Sequence, residues 1–454
     1  MELTKSFKVK GKWWLPDKKD KFCLGELEFT PGQEINLRIY GSLIGTKNIH
    51  DSKANFRLEE IHGQTQDGKY ISCIGAFGHE TGTGILLESQ FEIDYLAICS
   101  DCLLDIKSDK FTNASLHFNC SNSFFHSLYK PITQKRAKKS LKLTGFKFNE
   151  TKTKDLYRDE SQYCYLYFGQ GSNMSKSKDD DLSFRQNVYL NLVFNNGISF
   201  KEIVDRSTNI KHLFSFFSIR KIFFTSLRLK ESSTGKYFEI IFLQNNKSAI
   251  HKLSSLDLLL TYREIRPQFK KIISWWLKND RFVQNGLSLY MQLLNVKIES
   301  PPQQFLSIVF ALETMHVNLF DKPLFSKRKN DKFLNQKKKF TVDNEFKKRM
   351  NECLSHFNCM TFSMRLTSMI DKNAELFKSY IYNIPDFIRR VKRQRNYYAH
   401  DHSDPSKNLI EISDFDYFIY MCQLVYDVTF LHYIGLSKEN IKLLVKKNFF
   451  FYFF

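Results

Sequence analysis

Residues 390–401 have the sequence Arg-Val-Lys-Arg-Gln-Arg-Asn-Tyr-Tyr-Ala-His-Asp and lie in a region where apolar residues recur at helical spacing. Pro385 fits the first turn of the helix that would carry them, because proline is tolerated at that position. Other helices are predicted over Phe269–Val296, Gln303–Phe320, Phe346–Phe357, Phe362–Tyr382 and Phe415–Ile434, the last of which ends the pattern. An α-helical bundle is therefore predicted for residues 253–454.

The first 250 residues have the pattern of strands instead. Short runs rich in apolar and β-branched residues recur between turn signals, as in Cys23–Phe29, Ile35–Tyr40, Tyr70–Ile74, Tyr163–Phe168, Val188–Phe194 and Tyr237–Phe242. Asp67-Gly68 predicts a hairpin, and Gly169–Asp181 is predicted to be a polar loop that could divide this part into two subdomains. The chain is thus predicted to be an α+β protein, with a β-rich half over residues 1–250.

The charge of the chain points to polyanionic partners. Its 454 residues include 68 Lys or Arg against 48 Asp or Glu, a net charge of +20, which favours nucleic acid first and an anionic membrane second. The N-terminus lacks the apolar segment of a secretory signal, and no run of about 20 apolar residues predicts a membrane span. We therefore predict a cytoplasmic protein without membrane contact.

The nine cysteines are an odd number spread along the chain, which indicates reduced thiols and not a disulfide framework. Cys99 and Cys102 have the spacing of a zinc knuckle, but no second Cys-x2-Cys pair follows. They are zinc candidates only, and otherwise we predict neither a metal nor a cofactor. Glu313 and His316, three residues apart on a predicted helix, are interpreted as core-polar or cleft-lining residues.

Arg395, Asn396 and His400 together have the chemistry needed to cleave RNA without a metal. The ribose 2′-OH can attack the adjacent phosphate if one group takes its proton and another protonates the leaving 5′-oxygen. His400 titrates near neutrality and can do either task, while Arg395 can stabilise the charge on the phosphate. Asn396 can bind the phosphate or orient His400. A second Arg-x4-His match, at Arg57 and His62, lies in a strand-like region and is interpreted as a coincidence.

The spacing of this motif predicts a dimer. Five residues along a helix correspond to about 140° of offset and about 7.5 Å of rise, so Arg395 and His400 do not share one face. Two chains packed about a two-fold axis could each supply part of one cleft. The alternative is that the helix ends near His400 and frees its geometry, which the run from Asp401 to Pro405 favours.

The neighbours of the motif are suited to RNA. A basic approach is formed by Arg389, Arg390, Lys392 and Arg393. Tyr397 and Tyr398 could stack on unpaired bases, although ordinary core packing is the better interpretation for one of them. A basic amphipathic helix with a capping histidine is the alternative for the whole motif. Lys327–Lys329 and Lys337–Lys339 lie in a segment predicted as a loop, which could bind RNA phosphates or be merely solvated.

A helical bundle with Arg395-Asn396-x3-His400 resembles the HEPN superfamily, as does the preceding helix from Phe305 to His316. The N-terminus, with Gly11-Lys12-Trp13-Trp14-Leu15-Pro16, then Gly25 to Phe29 and Ile39-Tyr40-Gly41, is similar to that of ApeA-type anti-phage proteins. The resemblance covers both halves of the chain.

This resemblance implies a toxic, metal-independent ribonuclease that acts during phage infection as a homodimer with paired motifs at its interface. Arg395, Asn396 and His400 would be its catalytic residues, and transfer RNA is one substrate that such families suggest. The β-rich half would sense a phage-derived trigger or restrain the nuclease. Two alternatives stay open, which are a non-catalytic HEPN module that binds RNA or protein, and the HEPN toxin of a toxin–antitoxin pair.

Overall fold

The computed structural model describes residues 2–44, 55–83, 86–128, 133–136, 143–147, 154–159, 164–176, 182–218, 221–244, 252–279, 287–295, 300–320, 322–337, 343–355, 358–400 and 409–452. Contacts between Cα atoms divide the chain into two compact units, Met1–Ser274 and Trp275–Phe454. The β-rich first part and the helical second part confirm the predicted α+β class. The functional boundary at residues 250–253 stays a prediction.

The first unit is built mainly from strands. Strands β1 to β7 are Phe7–Trp14, Cys23–Phe29, Ile35–Tyr40, Phe56–Thr65, Tyr70–Thr83, Leu86–Cys99 and Phe111–Phe118. Strands β8 to β14 are Thr133–Arg136, Leu143–Lys147, Lys154–Asp159, Cys164–Lys176, Leu182–Ile198, Phe224–Glu231 and Tyr237–Phe242. The helices are α1 (Ser121–Phe124), α2 (Phe200–Ser215) and α3 (Tyr262–Lys278), and the last of these crosses the division between the units.

The first six strands close into an antiparallel ring in the order β1, β2, β3, β6, β5, β4. Strand β6 pairs with β3 up to Ile93 and with β14 from Tyr95 to Ile98, so it also connects the ring to the rest of the sheet. Beyond β14 the order is β13, β7, β12, β11 and β10. Alternate residues such as Leu27 and Ile39 are fully buried, as the two-residue period of a strand requires.

Trp13 explains part of the N-terminal motif, because it is fully buried in this ring. Its indole lies against Gly63 of β4, where an added Cβ would come 2.3 Å from Trp13 Cε3. Any larger residue at position 63 would therefore displace the indole ring of Trp13. The first tryptophan of Trp13-Trp14 is therefore a packing residue.

The Asp67-Gly68 hairpin is confirmed between β4 and β5, with Gly68 at a φ of +85° that glycine adopts without strain. The loop predicted over Gly169–Asp181 is wrong for its first part. Strand β11 continues to Lys176 and pairs with β12 along its length. Ladder hydrogen bonds to a neighbouring strand override the low strand propensity of its glycine and serine residues. Residues 177–181 lie outside the described part of the chain.

Helix α2 was not predicted in the β-rich half, although local signals for it exist. Ser199 caps its N-terminus by accepting a hydrogen bond from the Glu202 amide at 3.3 Å. The buried residues Ile203, Ile210 and Leu213 have helical spacing. The apolar residues of this 16-residue helix have helical spacing, but the strand-like runs on both sides of it led to a strand prediction for the whole region.

In the part that the structure describes, the second unit contains helices and no strand. Helices α4 to α8 are Ser288–Asn295, Pro301–Phe320, Lys327–Lys337, Asn344–Ser355 and Phe362–Asp371. Helices α9 to α12 are Ala374–Phe377, Ile384–His400, Phe415–Tyr433 and Lys438–Tyr452. Within the described residues, every helix is too short or too polar to cross a membrane.

Helices α5 and α11 form the centre of this bundle and run in the same direction. Phe305 packs on Phe415 near their starts, with ring centroids 5.8 Å apart, and Phe320 packs on Tyr433 near their ends at 5.1 Å. Helix α10 joins them through Phe387, which stacks on Phe418 at 5.3 Å. Burial of these apolar faces is the main stabilising contribution.

Four predictions about the helical half are wrong in detail. The single helix predicted over Phe269–Val296 is two helices, since α3 ends at Lys278 and α4 begins at Ser288. The segment around Lys327–Lys329 is helix α6 and not a loop. The helix predicted from Phe362 to Tyr382 stops at Asp371, because Asn373 has a φ of −132° and a ψ of 34°, outside the helical region. Helix α11 is not the last one, since α12 follows Gly435, whose φ is +99°. A glycine in this conformation ends a helix without preventing the next.

Candidate active site

Helix α10 supplies the scaffold of the candidate site. Asn383 accepts a hydrogen bond from the Asp386 amide at 2.9 Å, and Pro385 occupies the first turn, as predicted. Phe387 and Val391 bury one face of the helix. Because this face is fixed against the bundle, the described side chains of the last two turns have defined directions.

Arg395 is held by two neighbours. Its Nη1 donates to Asn396 Oδ1 at 3.1 Å, and its Nη2 donates to Glu313 Oε2 on α5 at 3.2 Å. The side chains of Arg395 and Glu313 are only 21% and 27% exposed, so the pair is partly shielded from water. Arg395 Nε is buried without a hydrogen-bond partner among the described atoms. The guanidinium is therefore pre-oriented, and the remaining N–H group on each of Nη1 and Nη2 is a donor that a phosphate could use.

Asn396 contacts Arg395 in this structure, which is a third role beside the two considered from sequence. His400 is the last residue of α10, so the helix does extend through the whole motif. The helical offset of about 140° between residues five apart thus applies to the backbones of Arg395 and His400. The His400 side chain and residues 401–408 lie outside the described part.

The four basic neighbours differ in what holds them. Arg389 forms a surface ion pair with Asp386. Arg390 is 25% exposed, pairs with Asp414 at 3.2 Å and lies 4.8 Å from the Phe418 ring centroid, so it links α10 to α11. Exposed Lys392 and Arg393 form no ion pair with the residues that the structure describes. They are the better placed of the four for a phosphate.

Tyr397 and Tyr398 are both half-buried, with their rings edge to face at 5.5 Å. Tyr398 also lies 6.4 Å from the Phe415 ring, and burial raises the pKa of its hydroxyl. Of the two, Tyr398 is the one packed on the bundle. Stacking of Tyr397 on a base stays a prediction.

Gln394 is a residue of this helix that was not predicted from the sequence to belong to the site. It is 2% exposed, and its Oε1 accepts a hydrogen bond from the Ile410 amide at 2.9 Å. This hydrogen bond attaches Ile410, which follows the motif in the chain, to helix α10. Its position three residues after buried Val391 was the available signal, because this spacing places Gln394 on the buried face.

Glu313 and His316 have the predicted character. His316 is 1% exposed, and Glu313 is half-buried against Arg395. The second Arg-x4-His match is different, because strand residues five apart point to opposite faces. Arg57 pairs with Asp94 at the surface at 3.0 Å, whereas His62 is buried with Nε2 3.1 Å from Leu104 O. The two cannot act on one phosphate.

Cys99 and Cys102 lie together in the first unit, with their sulfur atoms 3.2 Å apart. Asp101 brings a third donor atom within 4.8 Å of both. The ammonium of Lys236 is 2.9 Å from Asp101 and competes with a cation for that carboxylate. Three donors do not complete the four of a structural zinc site, so zinc binding here stays a prediction.

Two known domain families match the chain, one in its N-terminal part and one in its C-terminal part. Residues 8–276 match ApeA N-terminal domain 1, and residues 306–440 match the Apea-like HEPN domain. The first match alone covers more than half of the chain. The chain belongs to the ApeA family.

The predicted resemblance is thereby confirmed, and the ApeA family is one of HEPN-containing anti-phage effectors. The HEPN match includes Glu313 on α5 as well as Arg395, Asn396 and His400 on α10. No curated protein and no solved structure matches this ApeA chain.

Proposed function

We propose that this ApeA protein is an endoribonuclease effector of anti-phage defence that cleaves RNA without a metal ion. The observation that carries the proposal is the arrangement at the end of α10, inside the HEPN match. There Arg395 is oriented by Asn396 and Glu313, and His400 is the last residue of the same helix. A partly shielded, oriented guanidinium is suited to stabilising charge on a phosphate.

In the proposed reaction, the 2′-oxygen of a ribose forms a bond to the adjacent phosphorus, and the bond from phosphorus to the 5′-oxygen breaks. A base removes the 2′-OH proton, and an acid protonates the leaving oxygen. His400 is the residue that transfers one of these protons, while Arg395 binds the non-bridging oxygens. The products are a 2′,3′-cyclic phosphate and a 5′-hydroxyl.

We propose a homodimer as the active unit, because the offset along α10 separates Arg395 from His400. A two-fold axis would bring the arginine of one chain to the histidine of the other. Lys392 and Arg393 are proposed to bind the RNA backbone beside this cleft. A phage-derived trigger would act through the β-rich half, and transfer RNA is a substrate to be tested.

The proposed chemistry predicts cleavage in the presence of EDTA. Purified protein incubated with total RNA, or with a transfer RNA pool, should produce fragments that end in 2′,3′-cyclic phosphate, because the 2′-oxygen is the nucleophile. Sequencing of the RNA ends, with and without EDTA, measures this. Loss of cleavage in EDTA, or 3′-hydroxyl ends, would contradict the mechanism.

Glu313 is expected to act as a positioning residue for Arg395. Glu313→Ala should lower kcat by about tenfold with little change in KM, because the guanidinium loses one of its two anchors. Glu313→Gln keeps a hydrogen-bond acceptor and should restore most of the rate.

The measurements are steady-state kinetics and thermal unfolding of both variants. A purely structural role would lower the melting temperature of Glu313→Ala without separating kcat from KM. An increase in activity would instead show that Glu313 restrains Arg395, and this outcome would overturn the positioning role.

A further inference from the structure

The region between α5 and α8 carries an unusual concentration of positive charge. The described residues 326–337 and 343–355, termed the basic arm here, contain eight Lys or Arg against four Asp or Glu. This net charge of +4 in 25 residues compares with +20 for the whole chain of 454 residues. The basic arm includes α6 and α7.

The two chain segments at the base of the basic arm are joined by hydrogen bonds of Asn358. The backbone oxygen of Asn358 accepts a hydrogen bond from the Leu324 amide at 2.9 Å, and its Oδ1 accepts one from the Phe325 amide at 2.7 Å. Asn358 Nδ2 donates to Phe325 O at 3.4 Å. These bonds hold the two segments that flank the arm side by side.

Burial shows that the arm is not part of the core. None of the described side chains of α6 and α7 is buried, and Phe346 is 56% exposed. A helix normally buries one face to be stable, so helices without buried residues are candidates for binding a partner.

The charges on α6 are available to a ligand. The exposed cations of this helix form no ion pair with any described residue, and they are Lys327, Arg328, Lys329 and Lys332. Asp331 is the one acid among residues 327–337, and Lys348 and Arg349 add exposed charge on α7. Such a surface is complementary to the regularly spaced phosphates of a nucleic acid.

The arm is also close to the candidate site along the chain. It follows α5, the helix that carries Glu313, and Glu313 lies about 10 Å along that helix from its last residue, Phe320. An RNA bound at Arg395 can therefore extend toward the base of the arm.

We propose that the basic arm is an RNA-docking element that binds the phosphate backbone away from the cleavage site. This inference rests on the proposed ribonuclease function and adds to it a binding surface separate from α10. Its charges would lower the KM of long RNA and leave the chemical step unchanged.

The test uses the full chain with His400→Ala, so that bound RNA is not cut, and a fluorescein-labelled 30-nucleotide RNA of mixed sequence. One variant neutralises the arm by Lys327→Gln, Arg328→Gln, Lys329→Gln and Lys332→Gln. The control removes the same number of exposed charges from the first unit by Lys18→Gln, Lys19→Gln, Lys21→Gln and Lys201→Gln. Anisotropy titrations at several salt concentrations measure Kd.

We expect the arm variant to raise Kd about tenfold or more and to reduce the slope of log Kd against log salt by about 3, since about four phosphate contacts are lost. The control should change Kd less than about twofold, because it alters only the net charge. In the chain with His400 intact, the arm variant should raise KM for this RNA without lowering kcat.

Unchanged RNA binding by the arm variant would overturn the proposal, as would equal weakening in both variants. Unchanged binding would instead direct attention to a protein partner for the arm. Failure of the nuclease itself is recognised separately, because wild type would then cut no RNA in EDTA while the arm variant still lost RNA affinity.

Discussion

Replacing His400 by alanine is expected to lower the rate of RNA cleavage by about 10²–10⁴-fold, the usual loss when a general acid or base is removed. Arg395→Ala should cost about 10²–10³-fold, because charge on the phosphate then develops without its cation. Arg395→Lys should also be poorly active. A lysine lacks the planar fork that reaches Asn396 and Glu313 together.

Initial rates on labelled RNA in EDTA measure these effects. Arg57→Ala and His79→Ala are the matched controls, because both residues are exposed and lie in the first unit. Thermal unfolding shows whether Arg395→Ala still folds, and Arg395→Lys supplies a second variant if it does not. Wild-type rates in both His400→Ala and Arg395→Lys would exclude the proposed nuclease site. Growth of cells on induced expression gives the same comparison in vivo.

The second large effect expected is complementation between two inactive chains. A heterodimer of an Arg395→Ala chain and a His400→Ala chain keeps one arginine and one histidine on different subunits. If each cleft combines the two chains, one of the two clefts is intact, and activity should return to about half that of wild type. This is a large rise from parents that are each reduced at least about 10²-fold.

Tandem purification with a different tag on each chain isolates the heterodimer. The control is a heterodimer in which both substitutions are on one chain and the other chain lacks its arginine, so that no cleft retains both groups. Activity of the mixed heterodimer no higher than that of its parents would show that one chain builds the whole site. A monomer at working concentrations in light scattering would contradict the composite cleft in a different way.

The ion pair between Arg395 and Glu313 fixes the position of the guanidinium before RNA binds. The carboxylate orients the guanidinium but also compensates part of its charge. A phosphate must therefore compete with Glu313 or use the remaining donors of Arg395. Two hydrogen bonds are already made in this structure and Nε is buried, which leaves the second N–H group of Nη1 and of Nη2 for the substrate.

Local signals determined much of this fold before any contact was known. Periodicity placed α5 and α10, and Pro385 located the first turn of α10, because these features depend on residues within one or two turns. The hairpin at Asp67-Gly68 was predictable for the same reason, since its φ requirement is a property of the glycine itself. In β11 and α6 the polar residues of the segment predicted a loop, and that prediction was wrong.

By itself the sequence determined an α+β chain of net charge +20 with Arg395, Asn396 and His400 at one helix end. The tertiary structure decided which charges are engaged. Arg390 is bound by Asp414, and Arg395 by Glu313, a residue 82 positions away in the chain. It also decided that Lys327, Lys329 and Lys332 are exposed on α6, a helix in which no described side chain is buried. Pairings between residues distant in sequence follow from how helices pack, and no local pattern records that packing.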